Sequence, residues 1–227
     1  LIRIMLSEDQ EPMFNEEMME QLLKPKPYTV RLYLLRATNL VGMDLDMYGN
    51  IAKSDPYVKV KLGKFKFSDR ENAQDDMTDV DLYKLVEIDC ELPGASQLVI
   101  DMMDKDHIGS DDLIGRTTID LEDRWFDQRW QAYGEENMIL PGNDANDETR
   151  VRWKTKPIER RPLMVPTSTM QQGTLECWLD IMSPPVASSF PPDKVALPPT
   201  QIFEVRLVIW KAKDVPPQDW LPGMAHL

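Results

Sequence analysis

Short apolar runs with a period of two recur along the chain, and this pattern constrains the fold more than any other feature. In the first run, which begins at Tyr28, Val30, Leu32 and Leu34 alternate with more polar residues. The alternation returns in YVKVKL, LYKLVEIDCEL, QLVIDMM, LIGRTTIDL and TLECWLDIM. Half-buried strands have this period, and no long helical pattern separates the runs. The sequence therefore predicts an all-β fold, an antiparallel sandwich.

Less regular segments surround these strands. Residues 1–27 are predicted to be a linker with a short amphipathic helix, which the prolines of LKPKP end. The predicted domain covers 28–182, with an acidic, tryptophan-bearing insertion at 121–173 before the last strand. SPPVASSFPPDKVALPPT, at 183–200, has the composition of a proline-rich linker.

The end of the chain repeats its beginning. FEVRLVIWKAKDVP (203–216) aligns with YTVRLYLLRATNLV (28–41), with Val, Arg, Leu and Ala identical and the alternation in phase. Residues 201–227 are therefore predicted to be the truncated start of a second domain of the same type, in a parent protein with tandem domains.

The net negative charge of the chain limits the kinds of molecule that it can bind. A formal net charge of −13 argues against nucleic acid, and against anionic lipid unless the charge is first neutralised. Cys90 and Cys177 fall on inward-facing strand positions, so we expect core thiols in a reduced, cytosolic setting. No apolar run approaches the ~20 residues that a transmembrane helix requires.

Aspartates crowd two turns. DMMDKDHIGSDDLIG (101–115) contains five, and strand parity places Asp101 on the outer face, whereas Asp104, Asp106 and Asp112 lie in the turn that we name the third loop (104–112). The first loop (42–55) supplies three more, at positions 44, 46 and 55. Two like charges about 4 Å apart repel by roughly 4 kcal/mol at a protein surface. A bound cation would offset this repulsion, and like-charge crowding is expected to raise the carboxyl pKa values.

Calcium suits such a carboxylate set best. It takes six to eight oxygen ligands in irregular geometry, whereas magnesium is strictly octahedral and zinc prefers histidine and cysteine. An EF-hand beginning at Asp104 fails, because Ile108 and Gly115 fall at its fifth and twelfth positions and the flanks read as strands.

Two motifs in order, SDPYVKV and then DDLIGRTTIDL, resemble the C2 domain, an eight-stranded β-sandwich that binds calcium and phospholipid through loops at one end. ENAQ, DLEDRW, ERRPL and GTLECWLDIM before a proline-rich linker resemble the ferlins in particular. The resemblance covers about 28–182 and implies a late C2 domain of a ferlin, followed by the first strand of the next one.

The resemblance also implies ligands. The family's five acidic ligands fall on Asp44, Asp55, Asp104, Asp106 and Asp112. Asp44 lies further from Asp55 than is usual in the family, so Asp46 is an alternative. The side chains at the loop tips have two possible roles: they could insert among lipid headgroups, or they could pack against one another. These tip side chains are Met43, Met47, Tyr48, Ile51, His107 and Ile108.

A row of outward-facing lysines also has two interpretations. It could meet phosphoinositide headgroups or simply keep the sheet soluble. The row consists of Lys59, Lys61, Lys64 and Lys66.

We find no catalytic motif and expect no enzymatic activity in this segment. The predicted function is calcium-dependent binding to anionic phospholipid membranes, beside neighbouring C2 domains of the same chain. Resemblance implies vesicle trafficking, fusion or membrane repair, at the cytoplasmic face of a membrane that holds an anchor elsewhere in the parent. The alternatives are a calcium-independent scaffold for protein partners and the targeting domain of an enzyme.

Overall fold

The alternating runs form two four-stranded antiparallel sheets. The computed structural model describes residues 20, 23–42, 53–106, 109–137, 154, 156–197 and 202–213. Within them, the first sheet has the order β4-β1-β8-β7 and the second β3-β2-β5-β6. The strands are β1 (Lys26–Thr38), β2 (Pro56–Leu62), β3 (Phe65–Ser68), β4 (Val80–Leu92), β5 (Gln97–Asp104), β6 (Leu113–Asp120), β7 (Glu159–Leu163) and β8 (Gly173–Met182). The predicted all-β sandwich of eight strands is confirmed.

The apolar faces of the two sheets form the core. Val30, Leu32 and Leu34 of β1 are fully buried, as are Val58 and Val60 of β2. Side chains two residues apart lie on the same face of a strand, so each alternating run delivers one continuous apolar face. Burial of such faces is the main stabilising contribution of the fold.

The insertion before the last strand is partly helical. It contains α1 (Leu121–Phe126), α2 (Gln128–Ala132) and a 3-10 turn at Glu135–Asn137. Asp120 caps α1 by accepting hydrogen bonds from the N–H groups of Glu122 and Asp123. The insertion also contains β7, an edge strand that pairs with β8.

The two sheets are joined at one edge, where β6 meets β7. Arg116 and Met164 exchange backbone hydrogen bonds of 2.8 and 2.9 Å. A Cβ atom at Gly115 would lie 2.8 Å from Cβ of Leu163. Glycine at this position therefore permits the close approach of the two backbones.

The chain after β8 covers the outer face of β1. Its first turn is α3 (Pro184–Ser189), and we refer to residues 183–193 as the strap. The guanidinium of Arg31 donates hydrogen bonds to the carbonyls of Phe190 (2.6 Å) and Ala187 (2.9 Å). The N–H of Asp193 donates to the hydroxyl of Tyr33 at 3.2 Å. The first half of the proline-rich segment thus packs against the sheet.

Contacts divide the chain into two units, Leu1–Leu197 and Pro198–Leu227. In the second unit, residues 202–213 are exposed and form no helix or strand. The amphipathic helix predicted within residues 1–27 falls mostly outside the described residues. Across the described ranges, no helix is long and apolar enough to cross a membrane.

Candidate metal site

Two of the predicted ligands, from distant parts of the sequence, meet at one end of the sandwich. Asp55 immediately precedes β2 and Asp104 ends β5, and the register of these antiparallel strands places Pro56 opposite Asp104. The N–H of Asp55 donates a hydrogen bond of 2.7 Å to Oδ1 of Asp104. The N–H of Lys105 returns one of 3.1 Å to the carbonyl of Asp55. Strand pairing therefore joins the first loop to the third.

The second carboxylate oxygen of Asp104 is the most informative atom of the site. Asp104 is 1% exposed, and its Oδ2 is buried with no hydrogen-bond partner among the described residues. Most buried polar atoms in proteins have a partner, and leaving one without costs free energy. A cation would satisfy this oxygen.

Asp106 and Asp112 lie beside Asp104. The N–H of Asp104 donates to the carbonyl of Asp112 at 2.8 Å. The pKa of Asp106 is raised, first by burial and then by the negative charges of Asp112, Asp104 and Asp111. The rise in carboxyl pKa that carboxylate crowding predicts is therefore found at Asp106, in addition to the effect of burial.

The described carboxylates supply only part of a ligand set. Within the described ranges, no three histidine, cysteine or acidic side chains are arranged to hold a metal ion. The remaining predicted ligands, Asp44 and its alternative Asp46, lie outside those ranges, as do all six predicted membrane-contact residues. The donor type, carboxylate oxygen with one buried oxygen unpartnered, fits a hard cation such as calcium.

Asp111, which the sequence did not single out, has a different role. Its Oδ2 accepts hydrogen bonds from Nε of Arg70 (2.8 Å) and from the hydroxyl of Tyr57 (2.5 Å). Its Oδ1 accepts from Nη2 of Arg70 at 2.8 Å. The paired Arg70 holds the pKa of Asp111 well below its usual value, and Asp111 in turn raises the pKa of Arg70. Both carboxylate oxygens of Asp111 therefore already accept hydrogen bonds from side chains of the same domain.

The lysine row is divided by its contacts. Nζ of Lys59 lies 3.8 Å from Oδ2 of Asp111, and Nζ of Lys61 lies 3.1 Å from Oδ2 of Asp101. Asp101 faces outward as predicted, but it is 1% exposed because Lys61 and Arg116 cover it. Lys64 and Lys66 are exposed, and their side chains make no hydrogen bond or ion pair to any described residue.

The two cysteines lie in apolar surroundings. Cys177 is fully buried and Cys90 is half-buried. Burial is the largest cause that raises the pKa of Cys177 to about 12 and that of Cys90 to about 11. Since the thiolate is the reactive form, these raised pKa values disfavour reaction of either thiol at neutral pH.

Comparison with known proteins connects this geometry to a family. Residues 28–138 match the model of the C2 domain. The chain is 26% identical over 280 residues to Fer-1-like protein 4 of Mus musculus, in an alignment that covers 88% of this chain and 13% of that protein. It is 28% identical over 196 residues to Ferlin 2 of Toxoplasma gondii (84% and 12% covered) and 25% identical over 256 residues to Myoferlin of Homo sapiens (84% and 12%).

Solved structures of C2 domains are also similar to the chain. One is the calcium-bound structure of the two tandem C2 domains of Extended-Synaptotagmin 2, with a TM-score of 0.48 and 21% identity, covering 70% of this chain and 48% of that one. The chain spans 12 to 13% of the length of the three relatives named above. The two-sheet sandwich and the family match identify residues 28–138 as a C2 domain, and the sequence relatives that align over 84 to 88% of the chain are ferlins.

Proposed function

We propose that this domain binds calcium through its first and third loops and then binds anionic phospholipid membranes. The observation that carries the proposal is the meeting of Asp55 and Asp104 at one end of the sandwich, with Oδ2 of Asp104 buried and unpartnered among the described residues. Asp106 and Asp112 adjoin them, and either Asp44 or Asp46 would complete the set.

The charge of the chain makes the binding conditional. With a net charge of −13, the protein is repelled by anionic lipid, and the crowded aspartates concentrate this repulsion at the loop end. When bound, each calcium ion supplies two positive charges and open coordination positions for lipid phosphate oxygens. Calcium binding by the aspartates would thus change the electrostatic interaction between the loop end and anionic lipid from repulsion to attraction.

The side chains at the loop tips, most of them apolar, would then enter the headgroup layer. The candidates from the first loop are Met43, Met47, Tyr48 and Ile51, and those from the third are His107 and Ile108. In a ferlin-like parent, we place the domain at the cytoplasmic face of a membrane, with neighbouring C2 domains, in vesicle trafficking, fusion or membrane repair. We propose no catalytic role for it.

Co-sedimentation with liposomes of phosphatidylcholine and phosphatidylserine tests this function. The wild-type chain should sediment with these liposomes in calcium and remain in the supernatant with a chelator. Asp106→Asn should lose the calcium-dependent fraction. Asp123→Asn is the matched control, because it also removes one negative charge, but from an exposed residue of α1, the helix that follows the opposite end of β6.

Equal sedimentation with and without calcium, unchanged in Asp106→Asn, would contradict the proposal and favour the calcium-independent scaffold. For that alternative, the outer face of β1 is already covered by the strap. A protein partner would have to bind another surface of the described domain.

A further inference from the structure

Arg70 makes an unusual set of contacts with the third loop. It begins the 3-10 turn Arg70–Asn72, which follows β3, far in sequence from that loop. Its Nε and Nη2 bind the two carboxylate oxygens of Asp111, each at 2.8 Å. Such a forked pair fixes orientation as well as distance, because the planar guanidinium and the carboxylate align.

The same two side chains hold the backbone of Asp106 from both sides. Nη2 of Arg70 also donates to the carbonyl of Asp106 at 2.9 Å. Oδ1 of Asp111 accepts from the N–H of Asp106 at 3.2 Å. Both backbone polar groups of a predicted ligand are therefore bound by residues that are not themselves ligands.

Tyr57 anchors this arrangement to the sheet. It lies in β2 and is 1% exposed, and its hydroxyl donates to Oδ2 of Asp111 at 2.5 Å. A buried strand residue has little freedom to move, so Asp111 is tied to a rigid element of the fold. The chain of contacts runs from β2 through Asp111 to Asp106.

We infer that Arg70, Asp111 and Tyr57 are positioning residues. They hold the backbone of Asp106 in the position from which its carboxylate would bind the metal, before any ion binds. This inference rests on the proposed calcium site and adds how the site is preorganised. Residues that orient metal ligands through hydrogen bonds commonly contribute about 10- to 100-fold to metal affinity.

Substitution of Arg70 separates positioning from charge, because the two effects have opposite signs. Arg70→Gln removes a positive charge near the aspartates, so electrostatics alone would tighten calcium binding. Loss of positioning would instead weaken it, by about 10-fold or more. Arg70→Lys keeps the charge but lacks the fork, and we expect it to weaken binding as well.

Lys105→Gln is the matched control. Lys105 lies next to Asp104, and its side chain makes no hydrogen bond or ion pair to the described residues, so its loss changes only charge. Calcium titration calorimetry on the whole chain should give weaker binding for both Arg70 variants, and equal or tighter binding for Lys105→Gln. Wild-type or tighter affinity in the Arg70 variants would overturn the inference; if Arg70→Gln does not fold, Arg70→Lys decides.

A metal-free measurement keeps this test independent of the proposed function. In calcium-free protein, hydrogen exchange at the Asp106 amide, followed by NMR, should be faster in Arg70→Gln than in the wild type and unchanged in Lys105→Gln. Unchanged exchange in Arg70→Gln would overturn the inference. If the wild-type chain did not bind calcium in the titration, the proposed function would be refuted. The exchange measurement would still decide whether Arg70 positions Asp106.

Discussion

Arg31 and Asp180 are partners across the paired strands β1 and β8, but Arg31 directs its side-chain nitrogens to Glu87 and to the strap. Both residues are 4% exposed, and Oδ1 of Asp180 is buried with no hydrogen-bond partner among the described residues. Burial raises the pKa of Asp180 to about 7, and Asp193 adds to the rise while Lys156 and Arg31 oppose it. The outer face of the first sheet thus contains a carboxyl group that takes up a proton near neutrality.

This carboxyl group should make the stability of the domain depend on pH. Between the ordinary pKa of 3.8 and about 7, the folded chain keeps a proton on Asp180 that the unfolded chain has released. Stability therefore falls as pH rises through this range, by at most about 1.4 kcal/mol per pH unit. Asp180→Asn removes this dependence, so its free energy of unfolding relative to wild type should increase from pH 4 to pH 7 and level off above.

Urea unfolding of both proteins across this pH range measures the difference. Burial lowers the pKa of Lys156 to about 8, so Lys156 stays mostly charged between pH 4 and pH 7. Asp123→Asn serves as the control, because it makes the same substitution at an exposed position. A difference between Asp180→Asn and wild type that stays constant with pH would show that Asp180 is ionised in the folded protein.

The strap should contribute to stability through Arg31. Arg31→Ala removes the hydrogen bonds to the carbonyls of Ala187 and Phe190 and the ion pair with Glu87. Hydrogen bonds to a charged group contribute about 1.5–3 kcal/mol each, so we expect a loss of about 3 kcal/mol in urea unfolding. Arg36→Ala is the control, because its side chain is 47% exposed and its ion pair is long at 3.9 Å; it should cost less than about 1 kcal/mol. Equal losses in the two variants would mean that the strap is not held by Arg31.

Much of the fold could be predicted because it depends on a local period. The alternation that begins at Tyr28 correctly assigned Val30, Leu32 and Leu34 to the core. The meeting of Asp55 and Asp104 at one end of the sandwich could be predicted for a similar reason, since both residues adjoin the ends of strands that have clear apolar faces. Strand pairing then brought these two residues together.

Features that no local sequence pattern marks could not be predicted. Arg31 and Tyr33 have the parity of exposed residues, but the strap buries them. β7 is short, lies at an edge and contains ERRPL, which has no apolar alternation. The role of Asp111 could not be predicted, because its partner Arg70 lies 41 residues away and nothing in the local sequence marks the pair.

Asp104 should control the stabilisation of the domain by calcium. A ligand that binds only the folded state at 100 times its Kd adds about 2.7 kcal/mol to the free energy of unfolding. We expect this gain in the wild type and less than about 1 kcal/mol in Asp104→Asn at the same calcium concentration, because the variant lacks the buried carboxylate. Thermal or urea unfolding with calcium and with chelator measures both gains, and Asp123→Asn should keep the full effect. A full gain in Asp104→Asn would exclude Asp104 as a ligand.

The contacts of the lysine row predict which members could meet a phosphoinositide headgroup. Lys59 and Lys61 already neutralise Asp111 and Asp101, whereas Lys64 and Lys66 are exposed. A lysine near an anionic membrane contributes about 1 kcal/mol, so Lys64→Gln with Lys66→Gln should weaken binding to phosphoinositide-containing liposomes by about 2 kcal/mol. Lys61→Gln is the matched control and should have a smaller effect per residue, because the ion pair with Asp101 already uses its charge. If the double variant binds as the wild type does, the row is a solubilising surface; if Lys61→Gln has the larger effect, the ion pair with Asp101 opens at the membrane.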